Sequence, residues 1–149
     1  MRSGFNQEAL AGEFERGFAL MQKNWIGLRI TMNEFHQFLE KMGRLHDAIA
    51  SSIVWSSSEM KLEFIFEDMY RNHHGLPEYP GAYPGRIVLY GVRDLSISLD
   101  PDEKLWIHEF LLPDRNQNEI LVGFCPSGEI RAKFSSVEYS LFNKHNPES

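Results

Sequence analysis

Two neighbouring pairs of histidine and acid, His46-Asp47 and His108-Glu109, are the residues in this chain whose types most directly permit chemistry. An imidazole beside a carboxylate can move protons or ligate a divalent metal. If residues 45–55 form one regular strand, Asp47 shares a face with Leu45, Ile49, Ile53 and Trp55, where a carboxylate has to be paired or hydrogen-bonded. It is then either a ligand or general base, or an acceptor of backbone N–H groups where helix gives way to strand. The second role is favoured, because buried polar groups mostly serve the fold. His108 stands among Trp106, Phe110 and Leu112 on its face of an apolar strand, which reads as a satisfied core histidine before it reads as a ligand. An enzyme using His46, Asp47, His108 and Glu109, through a metal or by acid/base chemistry, requires the four side chains to converge.

Other reactive types are more scattered. His73 and His74 adjoin one another in a loop with Glu78 as the nearby acid, too few ligands for a metal, and they read as solvated. The single cysteine, Cys125, precedes Pro126 with no activating partner evident, so it reads as an inert thiol. The loop of His73 and His74 also holds the near-repeat Tyr79-Pro80-Gly81-Ala82-Tyr83-Pro84-Gly85. Exposed tyrosines offer large contact area at small entropic cost, which suits a recognition surface of Glu78, Tyr79 and Tyr83. Aromatic residues in a long loop can equally pack back on a sheet and hold the loop down, and the two readings stand level. There is no phosphate-binding glycine loop, nucleophile elbow, zinc-protease motif or dinucleotide fingerprint, and no cofactor is expected.

The elements that must position these residues follow from periodicity. Leu10, Phe14, Phe18 and Met21 recur at helical spacing behind Asn6, so residues 7–22 read as an amphipathic helix. The segment Trp25 to Ile30 is an edge strand or a buried connector. Thr31 and Glu34 form a capping box, Phe35, Phe38, Leu39 and Met42 make one face, and Gly43 supplies a stop, which predicts a helix over 32–42. Beyond Gly43 the period changes to two. Strands are expected over 45–55, 60–69, 86–92, 94–99, 105–112 and 119–124, with a last strand beginning near Glu129. In that last strand the apolar phase shifts between Phe134 and Val137, and a β-bulge at Ser135 and Ser136 is the simplest cause. Residues 71–85 form a long turn-rich loop. The expectation is one α+β domain over 1–149: a helical part at 1–43 packed on a mainly antiparallel meandering sheet of about six strands at 44–142, then a frayed tail at 143–149.

Composition bounds what such a domain does. With 149 residues, 42% hydrophobic and 24% charged, the chain can bury one sizeable core. Its net charge of −6 argues against nucleic acid and suits a basic protein partner. One cysteine excludes an internal disulfide, no apolar run approaches the roughly 18 residues of a membrane span, and Glu8, Glu13 and Glu15 interrupt any signal-like core. A cytoplasmic location, with no membrane partner, is expected.

The run Gly43-Arg44-Leu45-His46-Asp47-Ala48, the hydrophobic hairpin after it, the run Ile87-Val88-Leu89-Tyr90-Gly91-Val92 and the strand from Phe134 to Tyr139 together resemble a group of small bacterial β-rich proteins with an L-H-D segment. Some of that group are assigned as immunity proteins of polymorphic toxin systems. The resemblance spans scattered matches between residues 43 and 140 and implies a protein that binds and neutralises a cognate toxin without catalysis. Only His46 and Asp47 match the shared segment. The leading expectation is therefore a non-enzymatic protein-binding module, with a small metal-dependent or acid/base enzyme as the alternative.

Overall fold

Among the described residues, most of the alternating apolar stretches beyond Gly43 form strands with one face in the core. The computed structural model describes residues 28–100, 104–114 and 117–141. The expected helix at 7–22 and the tail at 143–149 lie outside the described residues. Nine strands are present among the described residues: β1 (Leu28–Ile30), β2 (Ile49–Ser56), β3 (Lys61–Phe66), β4 (Gly85–Tyr90), β5 (Arg93–Leu99), β6 (Leu105–Leu111), β7 (Glu119–Cys125), β8 (Gly128–Lys133) and β9 (Ser136–Leu141). They form one antiparallel sheet in the order β1-β9-β4-β3-β2-β6-β7-β8-β5. The segment before the helix is thus an edge strand, pairing Leu28 with Tyr139.

The expected α+β architecture of helices on a six-stranded sheet is corrected to a mostly β chain, since α1 (Met32–Lys41) is the one α-helix among the described residues. The phase shift near Ser135 is corrected as well. It marks a corner at which the chain leaves one part of the sheet for another: β8 pairs with β7 and β5, whereas β9 pairs with β4 and β1. The matching corner on the other strand is Gly91-Val92, between β4 and β5. Pairing resumes beyond both corners, from Gly85↔Leu141 and Tyr90↔Ser136 to Arg93↔Lys133 and Leu99↔Gly128. The two long strands are therefore one bent ladder. Following the order from β9 through β4, β3, β2, β6 and β7 to β8 returns to the strand where it began, so the sheet closes on itself as a barrel-like ring. Gly91 is required at the corner: its φ is 64°, and a Cβ there would collide with Ser135 Oγ.

The core fills the ring. Phe64 and Phe110 meet edge to face at 5.2 Å, and Phe35 of α1 reaches Phe110 and Phe134 at 6.2 Å each. Phe38 stacks on Tyr139 at 4.6 Å, so α1 packs its buried face against β6, β9 and the corner. The capping box is formed as expected: Glu34 N–H donates to Thr31 Oγ1 at 3.0 Å, and Thr31 N–H donates to Glu34 Oε1 at 2.9 Å.

Candidate functional site

The helix does not hand over directly to a strand. Gly43, Arg44 and Leu45 take positive φ values of 64°, 55° and 56°, making a left-handed turn, and Asp47 follows at 72°. Non-glycine residues in this region cost about 1–2 kcal/mol each. The turn throws His46 and Asp47 outward, while Leu45 and Ala48 remain buried. The expected strand over 45–55 is accordingly corrected to Ile49–Ser56, and Asp47 is corrected from a buried face to the surface, its side chain 59% exposed. What ties residue 47 down is its backbone, whose N–H donates to Ile107 O at 2.9 Å.

His108 is likewise not in the core. The β6–β7 register slips between Ile107 and Glu109, so His108 is the extra residue of a bulge and faces solvent, with Ile107 and Phe110 buried on either side. The bulge lets two consecutive side chains, His108 and Glu109, both escape the core. The histidines then meet: their ring centroids lie 5.8 Å apart, and His46 Nδ1 donates to His108 O at 2.8 Å. A carbonyl only accepts, so Nδ1 carries the proton and Nε2 the lone pair in the neutral ring. Nε2 lies 3.5 Å from Asp47 Oδ1. Cys125 joins the group, its Sγ 3.8 Å from His108 Nδ1, and nothing in sequence spacing could have placed it there. Glu109 turns instead to Arg44, 3.4 Å away, which also holds Glu40 at 2.9 Å. Among the described residues no group of three or more His, Cys, Asp or Glu side chains is arranged to hold a metal ion.

The loop after β3 is organised around a residue that sequence reasoning passed over. Asp68 is 6% exposed, and its carboxylate accepts three hydrogen bonds: from Tyr70 N–H at 2.9 Å, Tyr83 N–H at 3.1 Å and the Tyr79 hydroxyl at 2.5 Å. The signal was present in Glu67-Asp68-Met69, where the period-two pattern puts an acid in a core position. Tyr83 is half-buried, stands edge to face with Tyr70 at 5.5 Å and packs on the core. Tyr79 packs on His74 at 5.2 Å. Both expected recognition tyrosines therefore help to hold the loop down, and the solvent-facing crest is His74, Leu76, Pro77, Glu78 and Pro80. Burial first, then the hydrogen bond and charge of Asp68, push the Tyr79 phenol up to about 12. Burial raises Tyr70 above the usual phenol range.

The two groups of residues share one surface. Asn72 of the loop fills the space where a Cβ on Gly43 would sit, and the Arg71 guanidinium lies over the Trp106 ring at 5.5 Å. Trp106 pairs across strands with Cys125, which reaches His108 and so His46. An open cavity of about 240 Å³ lies on the loop side, lined by Glu67, Asp68, Arg71, His74 and Tyr79 with Ile49 and Ala82 beneath. No family model matches the chain, and neither the curated proteins nor the solved structures contain a significant match. Among the described residues no helix is long and apolar enough to cross a membrane.

Proposed function

We propose that this chain is a non-enzymatic protein-binding module, and that its contact surface runs from the crest of the 74–80 loop segment across Trp106 to the His46 and His108 patch. The observation that carries the reading is the buried Asp68 carboxylate, which devotes its hydrogen bonding to fixing a loop whose crest side chains stand free in solvent. A loop ordered before it meets a partner loses little entropy on binding, which favours affinity. Glu67 and Glu78 are exposed there, and with the net charge of −6 they suit a basic protein partner rather than nucleic acid. The resemblance through Leu45-His46-Asp47 supports the finer reading, a cytoplasmic immunity-type protein that neutralises a cognate toxin.

Affinity capture of the tagged full chain from its own cells tests this reading. One stoichiometric partner is expected, retained by wild type and lost from Leu76→Asp and Glu78→Lys, which alter exposed crest residues and leave the fold intact. Capture of a partner that survives both substitutions would move the surface elsewhere, and capture of none would sink the reading. The alternative, an acid/base or metal-dependent enzyme, draws on the approach of His46 to His108; metal analysis of the same sample reads it.

A further inference from the structure

Strand β5 ends the sheet order and pairs with β8 alone among the described residues, so no strand among them covers the backbone donors and acceptors of its other edge. Natural edges are usually blunted by proline, by inward-pointing charge or by brevity. This one has seven residues, no proline and no charge from Leu95 to Leu99, and its bulge, between Arg93 and Ser96 with Asp94 at a φ of 54°, is confined to the N-terminal end and leaves Ser96 to Leu99 in regular pairing. Arg93, Asp94, Ser96, Ile97 and Ser98 are exposed, and Ile97 leaves 45% of its surface to solvent although it stands opposite the fully buried Ile130.

The sequence along that edge reads the same in both directions: Asp94-Leu95-Ser96-Ile97-Ser98-Leu99-Asp100. Antiparallel pairing about a two-fold axis sets residue i opposite its mirror position in the second copy. With the axis at Ile97, Leu95 meets Leu99 of the other copy, Ser96 meets Ser98, and Ile97 meets itself. Leu95, Ile97 and Leu99 lie on the core-facing side and Ser96 and Ser98 on the outer side, as the pairing with Ile130, Arg131 and Glu129 requires. Every cross-strand pair from 95 to 99 is thus apolar on apolar or hydroxyl on hydroxyl, the combinations that favour a ladder. A register displaced by one residue would set leucine or isoleucine opposite serine throughout.

We propose that β5 is a self-association edge: two copies of this chain pair β5 with β5 antiparallel about Ile97, joining two rings through one continuous sheet. The interface shares no residue with the loop surface proposed above, so either idea can fail without the other. Acid pairs at its two ends limit its strength. Asp94 of each copy comes opposite Asp100 of the other, and Lys133, 3.6 Å from Asp94, offsets only part of that repulsion. Association is therefore reversible, and added salt strengthens it by screening the acid pairs, the reverse of an interface held by ion pairs.

Sedimentation velocity on the full chain from about 10 μM to about 1 mM, a range suited to a small interface, tests the proposal. Wild type is expected to shift reversibly from monomer to dimer, more so at higher salt. Ile97→Lys and Ile97→Asp each place like charges face to face at the axis and should weaken dimerisation by about tenfold or more. Because Ile97 is nearly half exposed, both variants should unfold at close to the wild-type temperature. Mixing the two variants should restore a dimer, the introduced ammonium of one copy opposing the introduced carboxylate of the other. A wild type that stays monomeric throughout, variants that dimerise as well as wild type, or a mixture that stays monomeric would each overturn the pairing about Ile97.

Discussion

Removing the Asp68 carboxylate should unpin the loop from Met69 to Pro84, and the geometry ranks the substitutions. Asp68→Ala leaves two backbone N–H groups, of Tyr70 and Tyr83, without this acceptor in a site that is nearly closed to water, while the half-exposed Tyr79 hydroxyl can turn to solvent. A hydrogen bond to a charged group contributes about 1.5–3 kcal/mol, and an orphaned buried donor costs about 1–3 kcal/mol. Two such losses amount to about 3–6 kcal/mol. Asp68→Asn keeps one oxygen for the two N–H groups and presents an N–H to the Tyr79 oxygen, so about 1–2 kcal/mol is lost with the charge. Tyr79→Phe removes one bond and costs about 1 kcal/mol. Urea unfolding followed by tryptophan fluorescence gives the three values, and limited proteolysis locates the loosened segment. A cost below about 1 kcal/mol for Asp68→Ala, or Asp68→Asn costing as much as Asp68→Ala, would refute the account of the carboxylate as the loop's anchor.

Two further outcomes are expected. The Tyr79 phenol is raised to about 12 from its ordinary value of 10.0, so its protonated form stabilises the fold fully below pH ~10, and that contribution is lost as pH climbs through about 12; ultraviolet titration of tyrosinate should show a late phenol that Tyr79→Phe removes, while the raised Tyr70 and Tyr90 phenols stay late in both proteins. In the left-handed turn, Gly43→Ala should cost about 1–2 kcal/mol, since φ is 64° and Asn72 occupies the Cβ position, whereas Arg44→Gly should be neutral or stabilising by up to about 1 kcal/mol because its exposed ion pairs contribute little against the relief of backbone strain. Thermal unfolding of the pair checks the opposite signs.

Helix α1 was legible because a capping box and an apolar face act within a few residues of one another, and Thr31, Glu34, Phe35 and Phe38 state both. The strands were legible as alternation, but alternation assumes an unbroken pleat. At His108 the bulge adds a residue and turns an expected core histidine outward; at Asp47 positive φ does the same to an expected buried acid. Neither deviation leaves a mark on a hydrophobic pattern, since it depends on how the partner strand ends and where the loop docks. The phase shift at Ser135 was visible, yet a bulge and a corner give the same local signature, and only long-range pairing distinguishes them. Tyr79 and Tyr83 could be read as contact or as anchor, and the choice hung on Asp68, whose three partners lie up to fifteen residues away.

The bent ladder also bears on how such a chain can change over generations. Because the long strands through Gly91-Val92 and Phe134-Ser135 belong to both parts of the ring, neither the β2–β3 hairpin nor the β6–β7 hairpin is a module that could be exchanged intact with another protein. Among the described residues, the turn at Ser57 to Met60 and the loop held by Asp68 hang outside the ladder. The crest side chains of Leu76, Pro77 and Glu78 stand outside both the ladder and the Asp68 anchor, so they can be rewritten while the ring stays constant.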